Sequence, residues 1–225
     1  WAASLSGGAA PVLDVQTRPR FNEANDSHYY LVPGVIVTIM TMIGALLTSL
    51  VMAREYERGT LESLFVTPVG SGEILTAKAA TNFLLGMVSL AISMIFAAFV
   101  FDIPIRGSLT LLLAVSALFL IVALGLGLVI STATKNQFLA CQFAIMGTFM
   151  PALMLSGFLY DILNMPPAVR ALTYMIPARY YVTLLQTLFL AGDIPSVIIP
   201  CCITLGVFAV VLMGIARLKA PKSLE

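Results

Sequence analysis

Residues Leu31–Gly70 read LVPGVIVTIMTMIGALLTSLVMAREYERGTLESLFVTPVG. The first part of this stretch carries no charge from Leu31 to Ala53. The next nine residues hold five charges: Arg54, Glu55, Glu57, Arg58 and Glu62. A run of about twenty apolar residues, rising 1.5 Å each as a helix, crosses the roughly 30 Å hydrocarbon core of a bilayer. The stretch therefore reads as a membrane span followed by a charged strip at a membrane surface.

The whole chain supports that reading. Of its 225 residues 60% are hydrophobic and only 10% charged, and the mean hydropathy is +1.00. Soluble domains carry about 25% charged residues. The fold class expected is all-α, a polytopic membrane helix bundle with five spans at about 32–53, 79–101, 109–132, 138–160 and 197–216. The three cysteines, Cys141, Cys201 and Cys202, lie in apolar runs and read as small buried hydrophobes. The lone His28 has no neighbouring ligand, so no metal site is expected. A net charge of +1 with scattered Lys and Arg makes no case for nucleic acid. No catalytic residues are assigned.

Residues 1–30 are Gly/Ala/Ser-rich and then polar, and read as the remnant of a domain or a linker. The chain opens at Trp1, as a fragment or processed product would. Residues 220–225 form a short tail in which Leu224 and Glu225 could be a cloning scar. With the charged strip inside, Arg54, Arg58, Lys78, Lys135, Arg217, Lys219 and Lys222 are cytoplasmic. Arg18, Arg20, Arg106, Arg170 and Arg179 then lie outside. The bias has the sign of the positive-inside rule.

Between the fourth and fifth spans, 161–195 holds two shorter apolar stretches, PPAVRALTYMI (Pro166–Ile176) and PARYYVTLLQTLFLAG (Pro177–Gly192). Each opens with Pro at a first helical position, and the second ends in a capping Gly. Neither is long enough to span. They are expected as outer surface or re-entrant helices packed on the bundle, with Arg179, Tyr180 and Tyr181 near the lipid headgroups. Two pairs of small residues at four-residue spacing, Ala45 with Ser49 and Gly127 with Ser131, would allow close helix packing within one bundle. Asn82 and Gln142 could bond across helices.

The charged strip is more ordered than a solvated loop requires. Leu61, Leu64 and Phe65 stand at helical spacing and form one apolar face, while Pro68 prevents continuation. Gly59 loosens the helix but does not exclude it. An amphipathic helix over about 54–66 is expected. Membrane-surface helices carry an excess of Lys and Arg; here three Glu face two Arg, which favours a protein partner. GSGEILTAK (Gly70–Lys78) lacks the glycine spacing of a phosphate-binding loop.

At these residues the chain resembles the type-2 ABC exporter permeases, in particular their multidrug-efflux branch. The family's "VPG" appears at Val32–Gly34, and its "RE.E.GTLE.L..TP" as REYERGTLESLFVTP (Arg54–Pro68). Its outer "SGF", "NMP", "IP.RYY" and terminal Gly occur in order between Ser156 and Gly192. Asp161, Leu163 and Gln186 depart from the residues common at those places. The departures bear on subfamily and substrate rather than fold.

The resemblance implies a six-span protein with a large extracytoplasmic domain between its first two spans. This chain would then lack the first span and most of that domain. It also implies a coupling helix seated in an ATPase, with Arg54, Glu55, Glu57, Arg58, Gly59, Thr60, Leu61, Glu62, Leu64, Phe65, Thr67 and Pro68 as its residues. Leu61, Leu64 and Phe65 would supply burial, and Glu57, Arg58 and Glu62 orientation. Gly157, Asn164, Pro166, Pro177, Arg179, Tyr180, Tyr181, Gln186 and Gly192 are the candidates for an outer gate. ATP and Mg would belong to a separate or fused ABC ATPase, and a second permease subunit would complete a dimer among the lipids of a bacterial inner membrane. The competing expectation is a membrane-anchored scaffold that recruits a cytosolic ATPase without moving a substrate. An ion-coupled transporter is disfavoured, because the interiors of all five spans lack Asp, Glu, Lys and Arg.

Overall fold

The computed structural model describes residues 28–59, 71–101, 103, 106–160 and 162–219. Helix α1 begins as His28–Thr41, widens into a π turn at Met42–Leu47 and resumes as Thr48–Arg58. Helix α2 is Ser71–Phe99 and α3 is Leu109–Thr134. Helix α4 runs Gln137–Ala144, a π turn Ile145–Phe149, then Met150–Leu155. Two shorter helices follow, α5 (Pro167–Thr173) and α6 (Pro177–Gln186), the latter closing in a π turn at Thr187–Ala191. Helix α7 is Pro195–Lys219. Among the described residues five helices, α1, α2, α3, α4 and α7, are long and apolar enough to cross a membrane. The expected polytopic bundle is what the chain forms.

Helix α3 is the central post, packing against α1, α2, α4, α6 and α7. In lipid there is no hydrophobic drive between helices, so close approach and bonding hold them together. Small residues supply the approach. A Cβ placed on Gly127 of α3 would sit 2.6 Å from the Ala45 carbonyl oxygen and 3.1 Å from the Ser49 nitrogen of α1. Gly127 thus meets the Ala45 and Ser49 pair across a seam within the chain. A buried polar link reinforces the bundle: Asn82 Nδ2 of α2 donates to Thr48 Oγ1 of α1 at 3.1 Å. Gln142, by contrast, is exposed and makes no such link among the described residues.

The main core gathers Ile36 and Met40 of α1, Phe119 and Leu120 of α3, Tyr181 and Leu185 of α6 and Leu205 of α7. A smaller cluster closes the opposite end, from Met52, Ala79, Leu128 and Ala216. Outward faces stay apolar, as on α2 at Leu84, Val88, Ile92 and Phe96. Such faces suit a hydrocarbon solvent. Several hydroxyls inside the spans are satisfied locally; Thr38 donates to the Gly34 carbonyl at 2.9 Å and Thr41 to that of Val37 at 2.7 Å.

Three expectations need correction. The fourth span stops at Leu155 instead of running to 160, because the chain turns at Gly157 with φ +87°. The helix expected over 54–66 is not continuous. Residues 54–58 are the last turn of α1, which ends where Gly59 adopts the left-handed conformation at φ +65°. Glycine takes that conformation without the steric cost of a Cβ, so it stops a helix more readily than it loosens one. The three cysteines are free thiols and half-buried rather than buried.

The π turn of α4 has a visible cause. Pro151 has no N–H to give the carbonyl four residues earlier, that of Gly147, and its ring crowds that oxygen. Widening over Ile145–Phe149 accommodates both.

Candidate functional site

Two groups of predicted residues lie at opposite ends of the bundle. At the first end stand Arg54–Gly59, on the last turn of α1. Arg54 and Arg58 are exposed, whereas Glu55 and Tyr56 are half-buried. Glu55 forms an ion pair with Lys78, about two turns into α2. Glu57 Oε2 accepts from the backbone nitrogen of Gln137, the first residue of α4, at 3.0 Å. Tyr56 packs on the small cluster of Met52, Ala79, Leu128 and Ala216. Two carboxylates of this turn, Glu55 and Glu57, thus bond to neighbouring helices, Glu57 from an exposed position.

The turn that meets Glu57 is tightly built. Lys135 takes a left-handed conformation at φ +49° and ends α3. Asn136 then caps α4, its Oδ1 accepting from Leu139 N at 3.1 Å. An Asn before an apolar run is a legible cap signal. The pairings of Glu55 with Lys78 and Glu57 with Gln137, however, span 23 and 80 residues and have no local signature. Thr60, Leu61, Glu62, Leu64, Phe65, Thr67 and Pro68 lie outside the described residues.

The second group forms a cap over the other end. Pro177 occupies the first turn of α6 and Pro166 stands as the N-cap of α5. Arg179 donates to Thr173 Oγ1, and its guanidinium lies 3.9 Å from the Tyr174 ring centroid. Tyr180 Oη donates to the Tyr174 carbonyl at 3.0 Å. Gly192, at φ +88°, closes the π turn by donating to the Thr187 carbonyl at 2.9 Å. The loop between α2 and α3 clips onto the same turn. Gly107 N donates to the Leu188 carbonyl at 2.8 Å, Arg106 to that of Leu190 at 3.2 Å, and Ser108 N to Asp193 Oδ1 at 3.0 Å. Asn164 is exposed on a short 3-10 turn, and Gln186 is half-buried.

Tyr181 was expected near the headgroups with Arg179 and Tyr180; it is instead wholly buried. Its ring stacks on Phe119 with centroids 4.1 Å apart, and its hydroxyl donates to Ser116 Oγ at 2.8 Å. Burial pushes its phenol well above the ordinary tyrosine range, against the opposing pull of the Ser116 bond. A tyrosine suits the core when its hydroxyl finds a partner there. Under this cap lies a cavity of about 100 Å³ lined by Thr41, Phe119, Thr148, Pro151 and Met175. A more open, almost wholly apolar groove of about 240 Å³ runs along α1 at Met42, Leu46 and Leu50, beside Cys141 of α4.

The family model described as ABC-2 family transporter protein matches residues 4–218. The chain is 47% identical over 215 residues to the probable multidrug ABC transporter permease YbhS of Escherichia coli K12, covering 96% of this chain and 57% of that one. To YbhR of the same strain, named in the same way, it is 31% identical over 180 residues, 79% of this chain and 48% of the relative. The inner membrane transport permease YhhJ, also of that strain, is 27% identical over 225 residues. The chain spans about half the length of the relatives it matches.

Proposed function

We propose, from the premise that the chain belongs to the ABC-2 family of transporter proteins, that it is the membrane half of an ATP-driven exporter. It works in a bacterial inner membrane as one of a pair of permease subunits. The partner is an ABC ATPase, separate or fused, which holds ATP and Mg. Residues 54–68 are the contact through which the ATPase moves the bundle.

The observation that supports this reading best is the anchoring of the last turn of α1 to two neighbouring helices. Glu55 pairs with Lys78 of α2, and the exposed Glu57 bonds to the start of α4. A loop that merely joined two spans would have no need to be anchored to both neighbouring helices. The anchored turn gives a partner something rigid to push. The cargo class proposed is hydrophobic or amphipathic, drugs or lipids, in keeping with the apolar groove along α1 and α4 and with span interiors that lack Asp, Glu, Lys and Arg.

The test is the double variant Leu64→Ser/Phe65→Ser, which strips the apolar face of the proposed contact without touching a span. Loss of ATPase co-purification together with export, at normal membrane insertion, is the expected result. Normal export by this variant sinks the coupling role. A partner retained by the unaltered chain without any transported substrate would favour the scaffold instead.

A further inference from the structure

We propose that the Glu57–Gln137 bond makes the cytoplasmic ends of α1 and α4 a single lever, so that a push on the charged strip moves α4 directly. The inference rests on the reading of the strip as the ATPase contact and names the route by which that contact acts.

Glu57 belongs to α1, yet its carboxylate accepts from the backbone nitrogen of Gln137 at 3.0 Å. The first N–H groups of a helix have no partner within it, and its N-terminus favours negative charge. Asn136 accepts from Leu139 N at 3.1 Å, and Glu57 takes the N–H of Gln137. The start of α4 is thus completed by a residue of α1, through a charge-assisted bond. The partner atom matters. Glu55 also reaches a neighbour, but the flexible four-carbon stem of Lys78 can absorb a displacement. The bond from Glu57 ends on backbone, so a displacement of the α1 tip is carried into the α4 main chain.

Two further features define what moves. Thr48–Arg58 of α1 packs along Gln137–Ala144 of α4. Immediately above this contact both helices open into π turns, Met42–Leu47 and Ile145–Phe149, and these pack against each other. A π turn replaces the tight ladder of an α-helix with wider bonds, and it is a place where helices bend. Above the turns α1 is held in the main core by Ile36 and Met40. The arrangement is a two-helix block tied at its tip, hinged at paired π turns and fixed beyond them. Glu57 is a positioning residue in it.

The experiment uses the full transporter with its ATPase, with Cys141, Cys201 and Cys202 replaced by Ala. Substrate exported per ATP hydrolysed is measured for Glu57→Gln, which keeps an acceptor oxygen, and Glu57→Ala, which does not. Glu57→Ala is expected to lower this ratio about tenfold, the scale of a lost charge-assisted bond, and Glu57→Gln to stay within about threefold of the parent. A merely structural role would lower hydrolysis and export together and leave the ratio alone. The second arm carries Glu57→Cys with Gln137→Cys. Unbridged, it should be uncoupled like Glu57→Ala; joined by a short bifunctional thiosulfonate, it should regain export, because the two tips move together. A bridge that blocks export, or normal coupling in Glu57→Ala, overturns the lever. Should Glu57→Ala fail to insert, the bridged pair decides alone. If the lever fails while Leu64→Ser/Phe65→Ser still loses the ATPase, the contact stands without it; if that double variant exports normally, both readings fall.

Discussion

Gly34 of α1 lies face to face with the ring of Phe158, so closely that a Cβ at position 34 would occupy the space of the ring. Two motifs more than a hundred residues apart in the sequence, the VPG that opens the first span and the SGF that follows the fourth, are thereby in contact. Phe158 is buried in the main core, so it cannot swing into solvent to make room. Gly34→Ala should destabilise the bundle by about 1–3 kcal/mol, as overpacking does. Thermal unfolding in detergent measures this, and Gly34→Ala/Phe158→Leu should recover part of the loss. Equal stability of Gly34→Ala and the parent would contradict the contact.

The second prediction concerns Tyr181 and Ser116. Their hydroxyls bond at 2.8 Å and both residues are buried, so removing one partner leaves the other unsatisfied. Tyr181→Phe should cost about 1–3 kcal/mol, and adding Ser116→Ala should cost little more, since both polar groups are then gone. Tyr181→Ala also forfeits the stack on Phe119, and about 3–5 kcal/mol is expected by analogy with other buried aromatic truncations. Additive losses in the double-mutant cycle would show that the bond contributes nothing.

Orientation in the membrane is the third. Single cysteines at Ser63 and Asn164, in a background with Cys141, Cys201 and Cys202 replaced, should label from opposite faces of intact cells. An impermeant maleimide is expected to reach Asn164, which is exposed, and to miss Ser63. Labelling of Ser63 from outside reverses the topology read from the arginine and lysine bias.

The outer cap supplies the fourth. The Tyr180 and Phe208 rings stand 6.3 Å apart, joining α6 to α7. If the cap is a gate, cysteines at these positions should bridge in one nucleotide state and not another, and the bridge should stop export reversibly. Bridging in every state with export intact would make the cap static packing.

The five spans were legible because bilayer thickness imposes a length of apolar sequence, and that is a local property. Pro177 and Gly192 marked the ends of the outer segment for a similarly local reason: one is preorganised for a first helical turn, the other for a positive φ. Spacing also announced that Ala45, Ser49, Gly127 and Ser131 could serve a close seam. That Gly127 meets Ala45 and Ser49 is a fact of assembly.

What the sequence by itself determined is therefore the class of protein, the stretches long and apolar enough to span a membrane, and the place where charge would collect. Only the tertiary structure decided how that charge is used. Whether Gly59 loosens a helix or ends it depends on a backbone angle that glycine permits but does not require. Whether Tyr181 faces headgroups or core depends on Ser116 and Phe119 standing ready on α3, because a phenol is at home wherever one end is apolar and the other can bond. In the sequence Glu57 stands only as an orienting residue of the strip, as the resemblance implies. Its bond to Gln137 exists only because the bundle brings together helix ends 80 residues apart, and no local pattern in a chain encodes a meeting of that kind.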